Sequence, residues 1–282
     1  MNSTIKRVLT TIIAPPLLFA LIFFLPHASY AALSVLAVLV TIGGAYELRN
    51  LANSAHGTTG GMPVVITAFL PLAQWVQNHW LPDVEVTFFM FTILSLALCV
   101  MELSKGREDA YAASILRLAN GILILFYPGL LITFIQRITV FQAPGALLVL
   151  FFLIIFGNDI FAYVFGVWLG KNNRGWASVS PNKSIAGLVG GILSAVVLGG
   201  LFVFFVPALS AALSLPKAII LSVLTAVVAN IGDLIESAFK RSAKMKDSGT
   251  LIPGRGGLLD SIDSMLVAAP VFYFLLAGFG VQ

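Results

Sequence analysis

The chain has 282 residues, of which 59% are hydrophobic and only 10% charged, against about 25% charged in ordinary soluble domains. A mean hydropathy of +1.00 leaves more apolar side chain than one core can enclose, which excludes a water-soluble fold and makes lipid the solvent for much of the chain. The net charge of +4 sits in short loops beside hydrophobic runs and reads as a topology signal, not as a nucleic-acid surface; Cys99, the single cysteine, excludes an intrachain disulfide and a cysteine-based metal site.

A hydrocarbon core of about 30 Å needs about 20 apolar helical residues. Nine such segments follow one another: Val8 to Leu25, Tyr30 to Tyr46, Met62 to Leu81, Val86 to Met101, Ile115 to Ile135, Gly145 to Leu169, Gly187 to Leu213, Pro216 to Asp233, and Ser264 to Val281. The expected fold is therefore all-α, a polytopic transmembrane helical bundle of about nine helices forming a single membrane domain over residues 1–282. Lys6 and Arg7 flank the first span as in a signal peptide, but the length of its apolar run favours a retained helix. With the N-terminus in the cytoplasm, 14 of the 16 basic residues fall inside and only Arg137 and Lys217 outside, as the positive-inside rule demands. The longest polar stretches, Glu47 to Gly61, Glu102 to Ser114, Lys171 to Ser184 and Glu236 to Asp260, then all face the cytoplasm. No internal repeat of the kind found in inverted-repeat transporters is visible.

Five of the twelve acidic residues, Asp233, Glu236, Asp247, Asp260 and Asp263, lie within 31 residues. Asp233 and Glu236 are three apart, as are Asp260 and Asp263, and that spacing puts each pair on one helix face. Asp260 opens the ninth span, where a carboxylate also simply favours the positive end of the helix dipole. Between the pairs lie Lys240, Arg241, Lys244, Lys246 and Arg255, with glycines at 249, 254, 256 and 257. Carboxylate oxygens suit Mg²⁺, cationic side chains suit phosphates, and a glycine-rich turn lets backbone approach a phosphate.

Farther upstream, Asn158 and Asp159 interrupt the sixth span and must face the bundle interior or a wet cavity. Ser180, Lys183 and Ser184 follow it in a Ser-Pro-Asn-Lys-Ser stretch that is either a plain turn or a phosphate contact. Gly166 to Lys171 lacks the spacing and the Ser or Thr of a Walker A loop; Gly166 with Gly170, and Gly187 with Gly191, read as small-residue faces for close helix packing. His27, His56 and His79 are too dispersed to ligate one metal.

The segment SAFKRSAKMKDSGTLIPGRGGLLDSID, residues 237–263, resembles the signature of the CDP-diacylglycerol synthases, also called phosphatidate cytidylyltransferases. Ser237, Lys240, Arg241, Lys246, Asp247, Gly249, Pro253, Gly256, Gly257, Asp260 and Asp263 stand in register. Arg255 replaces the usual histidine and Ser261 the usual arginine, which we read as variation compatible with activity. The resemblance implies cytidylyl transfer from CTP to phosphatidic acid, giving CDP-diacylglycerol and pyrophosphate at the cytoplasmic face of a bacterial plasma membrane. It also implies Mg²⁺, with room for a second cation, and a homodimer, with no nucleic-acid partner. Its catalytic region covers 158–184 and 232–263: Asp233 and Asp260 as metal ligands; Lys240, Arg241, Lys246, Asp247 and Asp263 as catalytic and supporting groups; Ser180, Lys183, Ser184 and Arg255 as phosphate contacts. A CTP-dependent lipid-alcohol kinase and a membrane transporter are the competing readings.

Overall fold

The computed structural model describes residues 16–57, 63–252 and 256–281. The start of the first expected span, residues 8–15, and Arg255 with Pro253 and Gly254 lie outside the described residues. Among the described residues the secondary structure is helical, with no strand beyond two isolated bridges, Arg174 to Ser184 and Ile252 to Gly256. Seven helical segments are long and apolar enough to cross a membrane, so the protein is an integral membrane protein of the expected all-α class. The chain divides into two compact units.

The first unit takes in the described residues through Gln136 and Phe239–Ser261. It holds α1 (16–24), α2 (His27–His56), α3 (Pro63–Ile66), α4 (Phe69–Trp80), α5 (Val86–Lys105), α6 (Ser114–Ile124) and α7 (Leu131–Arg137) up to Gln136. Helix α2 ends where Gly57 adopts the left-handed conformation and its N–H bonds Asn53 O at 2.7 Å, a glycine stop. The expected third span is two helices, α3 and α4, divided by a turn at Thr67–Ala68. The buried Thr67 donates its hydroxyl to Val64 O there, a local bond that competes with helix propagation. Between α6 and α7 the helix widens to a π-turn at Leu125–Leu130, which accommodates Pro128 and its missing N–H. Thr41 of α2 donates to Pro128 O at 3.2 Å. Leu70, Leu94, Leu98, Leu125 and Leu130 form the apolar core beside these helices. Toward one end, Arg117 pairs with both Glu102 and Asp109.

The second unit spans Arg137–Ala238 and residues from Ile262 onward. Its helices are α8 (Pro144–Leu169), α9 (Ile185–Phe205), α10 (Pro207–Ala212), most of α11 (Leu215–Ser242) and most of α12 (Leu259–Gly278). Helices α8 and α9 pack along a glycine seam. A Cβ on Gly187 would stand 2.6 Å from Ala162 O and 3.4 Å from the Gly166 Cα, so only glycines permit this backbone approach. Asn158 is at the same seam, fully buried. Gly232 of α11 plays the same part against Asp263 O, 2.7 Å from where its Cβ would be. Helix α11 extends beyond the expected eighth span to Ser242 and carries Asp233 and Glu236 together, as their spacing implied.

Candidate active site

The C-terminal end of α11 and the N-terminal end of α12 carry the first unit's polar centre. Lys244 ends α11 in the left-handed conformation, and Met245 N–H donates to Lys240 O at 2.8 Å. The loop that follows folds back on the first turn of α12. Asp260 Oδ1 accepts from Lys240 Nζ at 2.6 Å. Its Oδ2 accepts from the Ser248 N–H at 2.9 Å, the Gly257 N–H at 2.8 Å and the Ser248 hydroxyl at 3.0 Å. Two backbone bonds between Ile252 and Gly256 close the tip. Gly256 has φ +109°, and a Cβ there would meet Asp260 Oδ2 at 2.8 Å; both facts require glycine.

A second carboxylate reaches this loop from far away in the chain. Glu47 of α2 is 1% exposed. It accepts from the Leu258 and Leu259 N–H groups at 2.9 and 2.8 Å and lies 3.1 Å from the Ser248 hydroxyl. Sequence reasoning did not single it out. The available signal was an ionisable residue at the end of a long apolar run, the kind of position that costs most to leave unpartnered.

In the second unit a cavity of about 420 Å³ is lined by Asp159, Tyr163, Arg174, Trp176, Ser180, Asn182, Lys183, Ser184, Asn230 and Asp233 among others. Helix α8 supplies Asp159, α11 supplies Asn230 and Asp233, and the loop between α8 and α9 supplies the cations. That loop is held in place by Gly175 N–H to Lys183 O at 3.1 Å and Ile185 N–H to Asn173 O at 3.0 Å, with Gly175 at φ +81°. Lys183 Nζ meets Asp233 Oδ2 at 2.6 Å. Two of the lining residues are tied together through the buried Asn158: Asn230 donates to Asn158 Oδ1 at 3.0 Å and Asn158 to Asp159 Oδ1 at 3.1 Å. Behind them Asp263 is buried, within electrostatic reach of Asp233, Glu236 and Asp159. Among the described residues no three acids, histidines or cysteines converge tightly enough to hold one ion unaided. Asp159 and Asp233 on the cavity wall nonetheless suit a hard cation that takes one or two carboxylates and completes its shell with water and phosphate oxygens.

The expected residues thus gather in two groups. Lys240 and Asp260 meet in the first unit; Ser180, Lys183, Ser184 and Asp233 line the cavity of the second, with Asp263 buried behind. Arg241, Lys246 and Asp247 are exposed. Ser184 is the N-cap of α9, accepting from Gly187 N–H at 3.0 Å. Trp176, Tyr163, Asn182 and Asn230 were not foreseen as cavity residues; the two aromatics sit in segments whose polar neighbours drew the attention.

Helices long and apolar enough to cross a membrane, with lysines paired to carboxylates among them, define an integral membrane protein that carries charged centres. The comparison with known proteins narrows this class. The Cytidylyltransferase family matches residues 5–279, and the chain belongs to that family. It is 30% identical over 278 residues to the phosphatidate cytidylyltransferase of Staphylococcus haemolyticus (strain JCSC1435), covering 96% of this chain and 98% of the relative. The enzyme of the same name from Staphylococcus aureus (strain COL) is 31% identical over 275 residues, with the same coverage. That of Bacillus subtilis (strain 168) is 42% identical over 128 residues, 45% of each chain.

Proposed function

We propose that the protein is a nucleotidyltransferase that moves the cytidylyl group of CTP onto phosphatidic acid in phospholipid biosynthesis. A phosphate oxygen of phosphatidate forms a new bond to the α-phosphorus of CTP. The bond from that phosphorus to the bridging oxygen breaks, and pyrophosphate leaves. The observation that carries the reading is the cavity that presents Lys183 and Arg174 together with Asp159 and Asp233, on a chain that matches the cytidylyltransferase family over residues 5–279.

Phosphatidate is already anionic near neutral pH, its second pKa being about 6, so the nucleophile needs no strong general base. The residues at hand fit that demand: cations to meet phosphates, carboxylates to hold a metal, and no histidine on the cavity wall. Mg²⁺ would neutralise phosphate charge and help align the reacting groups. Asp233 in the second unit and Asp260 in the first are each proposed as a metal ligand. Each is paired with a lysine ammonium at 2.6 Å, Lys183 and Lys240 respectively, and both carboxylates therefore sit where a positive charge is already stabilised. Lys183, Ser180 and Arg174 take phosphate oxygens at the cavity wall, Lys240, Arg241, Lys246 and Arg255 supply further positive charge, and Asp247 and Asp263 support the metal ligands and the loop.

The finer architecture belongs to the same reading: one membrane domain of nine spans, N-terminus and catalytic region cytoplasmic, in a bacterial plasma membrane, assembled as a homodimer. The span count and orientation are supported by the distribution of the basic residues, 14 on one side and two on the other, and the membrane and the homodimer by the family resemblance alone.

The test is to incubate purified protein with phosphatidate, Mg²⁺ and CTP labelled on the α-phosphate. Label in the lipid phase and release of pyrophosphate are expected. Release of CDP in its place would identify a kinase and overturn the reading.

A further inference from the structure

The glycine-rich loop was expected to lend its backbone to a phosphate. In the structure four of its backbone donors, those of Ser248, Gly257, Leu258 and Leu259, are already engaged by the protein's own carboxylates. Of the amides at the start of α12, those of Leu258 and Leu259 go to Glu47, and that of Gly257 goes to Asp260 together with the amide of Ser248. The dipole at this helix end is likewise served by internal anions. Two glycines exist to let this happen. A Cβ on Gly249 would lie 2.4 Å from Glu47 Oε1, and one on Gly257 would lie 2.5 Å from Glu47 Oε2. The loop is wrapped so tightly around the Glu47 carboxylate that no side chain fits at either position.

We propose that Glu47 is a positioning residue for the loop at residues 248–260. It is an internal anion that preforms the start of α12 and, through the Ser248 hydroxyl, holds Asp260 in register with Lys240. The links are 3.1 Å from Ser248 Oγ to Glu47 Oε2, 3.0 Å from Ser248 Oγ to Asp260 Oδ2, and 2.6 Å from Asp260 Oδ1 to Lys240 Nζ. Ser248 has one hydroxyl proton, which it gives to one carboxylate at a time, and its oxygen is 3.2 Å from the Asp260 N–H, which donates to it. Substrate phosphates then meet side-chain cations and not this helix end. Glu47 is buried and acts only through the loop, and the functional part of the proposal rests on the cytidylyl-transfer reading.

Glu47→Gln preserves size and sharpens the test, because an amide has one acceptor oxygen and in either orientation turns an N–H group against one of the two backbone donors, that of Leu258 or that of Leu259. Ser248→Ala removes the bridging hydroxyl without leaving a buried charge, and stays informative even where the glutamine variant fails to fold. Hydrogen exchange at the Leu258 and Leu259 amides is the readout independent of activity. Glu47→Gln is expected to accelerate it by about tenfold or more, the worth of a lost hydrogen bond to a charged group, and Ser248→Ala to accelerate exchange at the Asp260 amide, which loses the hydroxyl oxygen it donates to, while exchange in α8 and α9 stays as in wild type. In the labelled-CTP assay, kcat falls while KM for phosphatidate holds. Unchanged exchange at these amides in the folded variants overturns the clamp. Accelerated exchange with wild-type kcat overturns the positioning role. Absence of turnover in the wild type under any lipid condition counts against the cytidylyl-transfer reading instead, and the exchange result still decides the clamp.

Discussion

Two lysine–aspartate pairs, Lys240 with Asp260 and Lys183 with Asp233, have the same 2.6 Å separation and different surroundings. The first is enclosed, its side chains 13% and 12% exposed, and three further donors fill the other oxygen of Asp260. The second lies on a cavity wall with 23% and 38% of its side chains exposed, and the one bond recorded to the other oxygen of Asp233 is long, 3.4 Å from the Ser237 hydroxyl. Distance alone therefore does not tell a clamp from a binding group. Remaining acceptor capacity and access do: Asp260, enclosed and bonded at both oxygens, holds its loop and takes a cation only by exchanging an internal donor for it, whereas Asp233 already faces a cavity with acceptor capacity to spare.

The largest expected effect is at the enclosed pair. In Asp260→Asn, any orientation of the amide either turns N–H groups toward the Ser248 and Gly257 donors or turns one against the Lys240 ammonium. Removing one partner of a buried pair typically costs about 3–5 kcal/mol. We expect a loss of about 3 kcal/mol in detergent-solubilised unfolding measurements, together with loss of most turnover. The contrasting variant is Asp233→Asn. Partly exposed pairs contribute roughly 0–1 kcal/mol, so its stability should hold, while kcat drops by more than about a hundredfold, the upper range for groups that only support a metal's ligands. Equal destabilisation by the two substitutions would break the comparison.

Lys183→Met sharpens the cavity side of the comparison. A charge-assisted bond to phosphate contributes on the order of 1.5–3 kcal/mol. The variant should raise KM for CTP at least about tenfold and leave the unfolding midpoint near wild type. A midpoint that falls with an unaltered KM would mean that Lys183 is a structural partner of Asp233 and nothing more.

Much of this was readable in advance because hydropathy and charge are local properties of the chain. The long apolar runs became α5, α8, α9, α11 and α12; the Asn158–Asp159 island turned inward to a cavity; Gly166 and Gly187 met at a helix seam. What escaped was set by contacts distant in sequence or by local bonds that override apolarity. Glu47 lies 201 residues from Ser248, and nothing in its own neighbourhood announces that partner. The three-residue spacing of Asp233 and Glu236 placed both on one helix, and α11 does carry both; that it then runs on to Ser242 with Glu236 buried is what the charge in that stretch did not show. The break at Thr67–Ala68 depends on a threonine hydroxyl finding a carbonyl three residues back, a choice hydropathy does not encode.

The smallest expected effect is at Ser184, where two expectations diverge. It lines the cavity and was read as a phosphate contact, but its hydroxyl oxygen caps α9 by accepting the Gly187 N–H, and its residue is only 5% exposed. A cap lost to alanine costs about 1 kcal/mol, whereas Asp supplies an equivalent acceptor. If capping is its whole contribution, Ser184→Ala lowers stability by that amount, Ser184→Asp restores it, and both leave KM for CTP close to wild type. A phosphate contact predicts the opposite ordering: the added negative charge of Asp beside Lys183 repels the nucleotide, and KM rises more for Asp than for Ala. The packing of Ser184 against Gly170, where a Cβ would lie 2.5 Å from Oγ, holds the hydroxyl toward the helix end and favours the first outcome.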